Sequence, residues 1–475
     1  MSSERPINAD VQAPEGAPEP VAEPKSAGER PPVAAPEEPR EPPREERPEP
    51  ARRRRRRGTI PGPIKLVAVL VAIAIGFIVL AVVAGSGSKQ GGGSAAPTPS
   101  TTAGAAPVES GSPEGTTTES ESEASGAAAE ELGFPSFATS NTTRIGGPDP
   151  VSNAAATALA VFPATDAKQR PVAVALVGKE DWAGAIAAGV LMAEPVKAPL
   201  LYGEPEGIPD ATSAALTALQ PRGGAASDGD AILAIGDVQV PSGMSAAKVA
   251  AGDAATEAAA IARLRDRLAG SPPQAILLAS SSEPAFATPA AAYAARSGDP
   301  VLFTEAEALP QATLAALRRD KGVPVYALGP GSAISEKVLK EVGKLGDKVT
   351  RISGADPVAT AIAFARYGGD KFGWHVSDPG HGFVLARADA PLEAAAAAPL
   401  SASGTWGPLL LTDSADTLPS ELRGYFLDVK PGYTTDPTRA FYNHVWIVGD
   451  VGQISVGQQA EVNEVAELAK IGAEG

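Results

Sequence analysis

The feature that most limits the possible folds is a stretch of about 32 residues, Pro171–Tyr202, which has two counterparts further along the chain. It begins with an apolar run of strand length, Val172–Val177. A polar loop and an alanine-rich helical run follow, and a second apolar run, Pro199–Tyr202, closes it. Strand, helix and strand in this order predict a parallel βαβ unit. The counterparts are Gln274–Phe303 and Gly382–Leu411, so we expect a repeat protein.

A short lead that carries an aspartate comes before each copy of this cassette. The aspartates are Asp149, Asp253 and Asp356, which stand 104 and 103 residues apart. An aspartate at this place suits a helix N-cap, because its carboxylate accepts hydrogen bonds from the free backbone N–H groups of the first turn. The helices predicted after the leads are Asn153–Val161, Ala254–Leu268 and Val358–Tyr367.

Two further pieces follow each cassette. An acidic turn that ends at a proline leads into a helical run, and the helices predicted from it are Ala211–Leu219, Gln311–Leu317 and Ser420–Asp428. A last strand then ends in a glycine, at Gly236, Gly329 and Gly449. Alternating strands and helices with short connections predict an α/β fold with mainly parallel sheets.

The region before the repeats has a different composition. Residues 1–63 are rich in proline, glutamate, alanine and arginine and predict a disordered tail, since few large apolar side chains offset the ordering entropy. This tail is either a solvated spacer or a docking segment for a cytoplasmic partner. Residues 85–131 predict a flexible linker rich in glycine, serine and threonine. The three repeats are predicted at 132–244, 245–347 and 348–475.

An uncharged apolar run separates the tail from the linker. Leu66–Ala84 has 19 residues, which as a helix would be about 28 Å long, close to the thickness of a bilayer core. Six arginines, Arg52–Arg57, come before it and favour a cytoplasmic N-terminus. A cleaved signal peptide is the alternative. We expect a transmembrane helix at 64–84, and therefore a single-pass protein of the cell membrane with its C-terminal part extracytoplasmic.

Charge and composition exclude several functions. The net charge is −16, of which about −11 falls on residues 132–475, and this argues against nucleic acid as a partner. The absence of cysteine excludes disulfides, thiolate metal sites and a cysteine nucleophile. His375, Asp378 and His381 share one loop that is either a zinc site or an ordinary connection. The glycine turns match no complete phosphate-binding motif, and we predict neither a metal nor a cofactor.

The leads carry a family resemblance. Arg144–Gly147 (RIGG) and Arg351–Asp356 (RISGAD), together with the cassettes that follow them, resemble the cell wall-binding repeat 2 family, whose modules occur in triplicate on bacterial surface proteins. The resemblance covers nearly all of Asn141–Ser455. The middle repeat departs from it, since it lacks the leading arginine and has Lys248 nearby but offset; the first repeat has Gly184 in place of the family's aspartate.

This resemblance implies three tandem Toprim-like βαβ modules in a pseudo-threefold arrangement. It also implies noncovalent attachment to cell wall polymer, either an anionic glycopolymer or peptidoglycan. Arg144 and Arg351 are candidate ligand-binding residues because a guanidinium grips phosphate through two hydrogen bonds, although each could instead pair with the aspartate of its own lead. The loops after the first strands add three candidates, Lys179, Trp182 and Arg387. Trp182 either stacks on a sugar or packs against the core.

No catalytic pair stands out in the sequence. Paired carboxylates occur at different offsets in the different repeats, so they do not define a recurring site. We therefore expect a non-enzymatic binding protein. The alternatives are a wall hydrolase or amidase with its site in the third repeat, and an envelope scaffold or sensor whose tail binds a cytoplasmic partner.

Overall fold

The computed structural model describes residues 137–249, 251–346, 348–403 and 406–472. The predicted tail (1–63), transmembrane helix (64–84) and linker (85–131) lie outside the described residues. In the described part of the chain, no helix is both long and apolar enough to cross a membrane.

The strands follow the apolar runs of the sequence. They are β1 (Phe137–Ala138), β2 (Thr142–Ile145), β3 (Val174–Gly178), β4 (Leu200–Gly203), β5 (Ile232–Ile235), β6 (Ala246–Val249), β7 (Ile276–Ser280), β8 (Val301–Thr304), β9 (Val325–Leu328), β10 (Val349–Ile352), β11 (Gly382–Arg387), β12 (Leu409–Thr412), β13 (Gly432–Tyr433), β14 (His444–Val448) and β15 (Ala469–Lys470). In β4, β7 and β12 every residue is buried, as expected for parallel strands covered on both faces.

The helices begin close to the predicted residues. They are α1 (Pro150–Val161), α2 (Trp182–Ala188), α3 (Asp210–Leu219), α4 (Ala254–Ala269), α5 (Pro284–Ser297), α6 (Gln311–Arg319), α7 (Glu336–Gly343), α8 (Pro357–Arg366), α9 (Pro391–Ala396), α10 (Ala398–Ala402), α11 (Ser420–Asp428) and α12 (Val456–Ala466). The N-cap prediction is confirmed, because Asp149, Asp253 and Asp356 each accept backbone N–H groups at the start of α1, α4 and α8.

The described residues form three main sheets that share one strand order. The first sheet is β4-β3-β5-β6, the second is β8-β7-β9-β10, and the third is β12-β11-β14-β2 with the short β1 added antiparallel at its edge. All other pairs in these three sheets are parallel. The α/β prediction with mainly parallel sheets is therefore confirmed.

The lead strands link the sheets in a circle. The lead of the second repeat (β6) completes the first sheet, and the lead of the third repeat (β10) completes the second sheet. The lead of the first repeat (β2) pairs with β14, close to the other end of the chain, and so completes the third sheet. Each repeat thus lends one strand to another repeat, and the first and last parts of the described chain meet in one sheet.

The alanine-rich helices pack against one another where the sheets meet. Helix α5 contacts α2, α9, α10 and the 3₁₀ turn Gly189–Met192, and α9 contacts α1 and α2. Short side chains allow these backbones to approach closely. At Gly189 an added Cβ would lie 2.7 Å from the Ala291 carbonyl oxygen, so this crossing leaves no room for a methyl group. The alanine runs thus form the joint between repeats.

Candidate functional site

A cleft opens at the carboxyl end of the first sheet. It is lined by Gly178–Asp181 after β3, Gly203–Glu206 after β4, Gly236–Asp237 after β5, and Ala251–Gly252 with Glu257 after β6. Its volume is about 590 Å³, within the range of small-molecule sites. The carboxyl end of a parallel sheet is where ligands bind in open α/β folds, because the strand-to-helix loops converge there. This position makes it the strongest candidate site.

The first cleft is strongly acidic. Six carboxyl side chains line it: Glu180, Asp181, Glu204, Glu206, Asp237 and Glu257. Among its described lining residues Lys179 is the one cation, and its Nζ lies 2.6 Å from Glu204 Oε1. The hydrogen bond and charge of Glu204 raise the pKa of Lys179. Lys179 therefore neutralises one carboxylate and leaves the rest of the cleft negative.

Two of these carboxyls meet at the base of the cleft. The Oδ1 atom of Asp181 caps helix α2 by accepting the Gly184 N–H at 2.8 Å. Glu257 on α4 is only 3% exposed, and burial first, then the hydrogen bond and charge of Asp181, raise its pKa to about 9. Glu257 therefore keeps its proton near neutral pH, because burial and the neighbouring Asp181 both disfavour its ionised form.

Gly184 provides the space for this pair. An added Cβ there would lie 2.1 Å from Asp181 Oδ2 and 2.9 Å from Glu257 Oε2. The glycine that departs from the family's aspartate is thus the residue that lets Glu257 reach the base of the cleft.

The counterparts of Glu257 in the other leads have a different role. Asn153 and Thr360 stand four residues after their capping aspartates, as Glu257 does after Asp253. Asn153 Oδ1 accepts the Gly147 N–H at 2.8 Å, and Thr360 Oγ1 accepts the Gly354 N–H at 2.9 Å. Glu257 alone of the three brings an ionisable carboxyl to this position. The sequence analysis did not single out Glu257. The signal was present, because all three residues stand four positions after their capping aspartates and only one of them is a carboxylic acid.

A second cleft of about 470 Å³ lies at the carboxyl end of the third sheet. Arg387 on its wall binds Asp389 through two hydrogen bonds of 2.9 and 2.7 Å, which lower the pKa of Asp389 and raise that of Arg387. Glu393 stands at the position of Gly184 in its helix, and burial raises its pKa. Gln453 donates to it at 2.9 Å. This cleft contains both a cation and carboxyls, so the charges on its walls are more balanced than those of the first cleft.

The two lead arginines lie within the sheets. Arg144 is 1% exposed and donates to Gln459 Oε1 (3.0 Å) and to the carbonyls of Gly449, Asp450 and Ile454 (2.6 to 2.9 Å). Burial lowers its pKa, and the charge of Asp450 opposes this. Arg351 donates to the carbonyls of Gly329 and Ile334 and pairs with Glu336 at 2.8 Å. Neither pairs with the aspartate of its own lead, which caps the following helix instead.

The interpretation of Lys248 as offset is wrong. Arg144 lies opposite Ile447, Arg351 opposite Ala327, and Lys248 opposite Ala234. Each of these partners stands two residues before the terminal glycine of its strand. Lys248 therefore occupies the register position of the two arginines. The middle repeat thus has a lysine where the other two repeats have an arginine.

The remaining candidates are scattered. Trp182 is half-buried, and its ring meets Phe303 edge-on with centroids 5.6 Å apart, so it packs between the first and second repeats. His381 Nε2 lies 3.2 Å from Asp378 Oδ1. Within the described ranges, no group of three or more histidine, aspartate or glutamate side chains is placed to hold a metal ion. A ligand role for Arg144, Lys179, Trp182, Arg351 and Arg387 stays a prediction.

A known protein-family model matches two segments of the chain. Residues 246–339 and 351–458, fewer than half of the chain, match the family model described as Cell wall binding domain 2 (CWB2). The predicted family resemblance is thus confirmed for the second and third repeats, and for the first it stays a prediction. No curated protein sequence matches the chain.

Solved structures support the fold. Cwp6 from Clostridium difficile is similar with a TM-score of 0.55 and 18% identity, covering 69% of this chain and 47% of that one. Cwp8 from Clostridium difficile is similar with a TM-score of 0.53 and 17% identity, covering 69% of this chain and 52% of that one. The chain therefore spans about half the length of these proteins. At such low identity the likeness extends to the fold alone.

Proposed function

We propose that the protein is a non-enzymatic cell wall-binding protein that attaches noncovalently to wall polymer, either an anionic glycopolymer or peptidoglycan. The observation that carries this proposal is the match of two segments, 246–339 and 351–458, to the cell wall binding domain 2 family. The fold likeness to two Clostridium difficile Cwp proteins is consistent with it.

The first repeat belongs to the same binding unit in this proposal. It is not among the matched residues, but its sheet has the same strand order as the second and third sheets. Its lead strand β2 completes the third sheet, so the third repeat depends on it for a strand. We infer three Toprim-like modules in a pseudo-threefold arrangement, with the alanine-rich helices at the centre.

The proposal places this unit outside the cytoplasmic membrane. Its support is the uncharged run Leu66–Ala84 with Arg52–Arg57 on its N-terminal side, a pattern typical of a single-pass anchor with a cytoplasmic N-terminus. The tail 1–63 would then face the cytoplasm, where a partner could bind it, and the linker 85–131 would give the repeats reach toward the wall.

The second cleft, at the carboxyl end of the third sheet, is the proposed contact point with polymer, because a cation lies on its wall. This second cleft has Arg387 on its wall, and the partner of Arg387, Asp389, is exposed, so an incoming phosphate or carboxylate could compete for the guanidinium. The buried Arg144 donates hydrogen bonds to four intramolecular acceptors and thereby stabilises the third sheet. We therefore place anion contact at Arg387 ahead of the lead arginines.

The test is co-sedimentation of the purified full-length chain, in detergent, with isolated cell wall. We expect the chain to pellet with wall, to be released by salt, and to pellet less with wall stripped of anionic polymer. Arg387→Ala should weaken retention. Its matched control is Arg170→Ala, because Arg170 donates to Gln220 away from the clefts. A chain that stays in the supernatant would refute the proposal. Clearing of the wall in a zymogram would favour the hydrolase alternative instead.

A further inference from the structure

The amino end of the second sheet carries an excess of positive charge. Four segments lie at this end, because each helix runs antiparallel to the strands and its last turn leads into the next strand. They are 263–274, 296–300, 318–324 and 340–348, which precede β7, β8, β9 and β10. Together they contain ten lysine and arginine residues against five aspartate and glutamate residues, of which Asp347 lies outside the described residues. We call this surface the basic end.

Contacts between the segments show that the basic end is one continuous surface. Arg319 Nη2, at the end of α6, lies 2.7 Å from Asp266 Oδ2, near the end of α4. An added Cβ on Gly298 or Gly346 would lie within 4 Å of a side chain from a neighbouring segment, Arg265 at 3.7 Å and Lys321 at 3.5 Å. The cations of all four segments therefore act on the same region of solvent.

Two of the acids at the basic end are buried. Asp299 is 3% exposed and accepts the backbone N–H groups of Gln274 and Ala275, and Asp320 is 8% exposed and pairs with Arg319. Five exposed cations, in contrast, have no ion pair with a carboxylate among the described residues: Arg263, Arg318, Lys321, Lys344 and Lys348. The charge that faces solvent is thus more positive than the composition alone indicates.

Helix stability does not account for this excess. Cations near a helix C-terminus stabilise it, and that reason applies to all three sheets. The corresponding segments of the first sheet, 155–173, 189–199 and 218–231, contain four cations and four acids. Those of the third sheet, 360–381, 401–408 and 427–443, also contain four of each. The second repeat alone has a positive amino end, in a chain whose net charge is −16.

We propose that the basic end docks the repeats onto an anionic phospholipid surface, that of the membrane that holds the anchor. This inference rests on the proposed membrane anchor at 64–84 and adds a second partner to the wall polymer. The linker 85–131 has 47 residues and spans about 35–40 Å on average, so it keeps the repeats close to the bilayer. Each lysine or arginine near anionic headgroups favours the docked state about fivefold.

The distribution of the cations suits an extended surface. They come from segments before all four strands, and a four-stranded sheet is about 15 Å wide. A lipid surface presents headgroup charges over the whole of that width. In the docked state the carboxyl end of the second sheet points away from the bilayer.

The test is energy transfer between a fluorophore on the repeats and acceptor-labelled lipid, with the full-length chain reconstituted into vesicles. The chain has no cysteine, so one introduced thiol is labelled specifically. The two label sites are the exposed Ser271→Cys at the basic end and the exposed Ser332→Cys at the carboxyl end of the same sheet. In vesicles of phosphatidylglycerol and phosphatidylcholine, transfer should be at least twofold greater from position 271. The difference should vanish in pure phosphatidylcholine and at 0.5 M salt, which screens the attraction.

Charge reversal provides the second arm. The triple change Arg318→Glu, Lys321→Glu and Lys348→Glu should lower the ratio of docked to free repeats at least about a hundredfold and so remove the difference between the labels. The matched control reverses three exposed cations at the amino end of the first sheet, with Lys168→Glu, Lys197→Glu and Arg222→Glu. This control should keep the difference.

Equal transfer from the two labels in anionic vesicles would overturn the inference, as would unchanged transfer after the triple reversal. If transfer is equal but the triple reversal abolishes pelleting with wall, the basic end binds wall polymer and the membrane inference fails. A chain that does not float with vesicles of either composition overturns both the anchor and this inference. If the chain pellets with wall and transfer is equal, wall binding stands alone. Unequal transfer without pelleting leaves this inference standing and refutes wall binding.

Discussion

Arg144 should be the most costly single residue to remove from a lead, since it secures the strand that joins the first repeat to the third sheet. The change Arg144→Ala deletes four hydrogen bonds, three of them to backbone carbonyls in the turn after β14. Each buried acceptor left without a donor costs about 1–3 kcal/mol. The mutant no longer has to bury a guanidinium, and this offsets part of the loss.

We expect a net loss of about 3–5 kcal/mol in the free energy of unfolding, because four acceptors lose their donor and only part of that cost is offset. The matched control is Arg351→Ala. Its side chain is 19% exposed and holds only two carbonyls besides the exposed Glu336, so about 1–2 kcal/mol is expected there.

The measurement is equilibrium unfolding in urea, followed by far-UV circular dichroism at neutral pH. The midpoint should fall much further for Arg144→Ala than for Arg351→Ala. An equal or smaller shift for Arg144→Ala would contradict the reasoning, because it would mean that the β2–β14 pairing does not depend on the guanidinium.

Three further predictions concern buried contacts. Because the pKa of Glu257 is about 9 when folded against an ordinary 4.5, the folded state holds a proton that the unfolded state loses. Stability should therefore fall as pH rises from 5 to 9, by up to about 1.4 kcal/mol per unit, and Glu257→Gln should flatten the urea midpoint plotted against pH. Gly189→Ala should cost about 1–3 kcal/mol in urea unfolding, since the new methyl would meet the Ala291 carbonyl at 2.7 Å; an unchanged midpoint would contradict this. Tyr202→Phe should lower stability by about 1–2 kcal/mol in thermal unfolding, because its hydroxyl donates to the Leu392 carbonyl at 2.6 Å.

Local sequence was enough to predict most of the elements. The helix predicted at Ser420–Asp428 has those bounds, and the predicted helix Ala254–Leu268 extends by one residue. Apolar runs next to glycine or proline likewise predicted the strands of the cassettes, as for Val172–Val177, where the strand is Val174–Gly178. The lead strands β2, β6 and β10 were not predicted as strands. These features depend on side-chain spacing and on capping groups only a few residues away, so they are encoded where they occur.

The candidate cleft was partly predictable. The polar loop with Lys179 was expected at the carboxyl end of a strand, and it lines the first cleft. Glu257 was not expected there, because 76 positions separate it from Asp181 and it arrives on the lead helix of the following repeat. The raised pKa of Glu257 depends on burial and on its distance from Asp181, which the sequence does not record.

The cassette that recurs three times determined by itself that the chain would form parallel βαβ units with alanine-rich helices. Only the tertiary structure decided which repeat receives each lead strand. In the structure β2 pairs with β14, some 300 positions away. Arg144 on β2 donates to backbone carbonyls of the turn that follows β14. Short alanine side chains at the crossings then hold the repeats close enough for every lead to reach its neighbour's sheet. Pairing over such distances depends on which surfaces are buried together, a property of the whole fold.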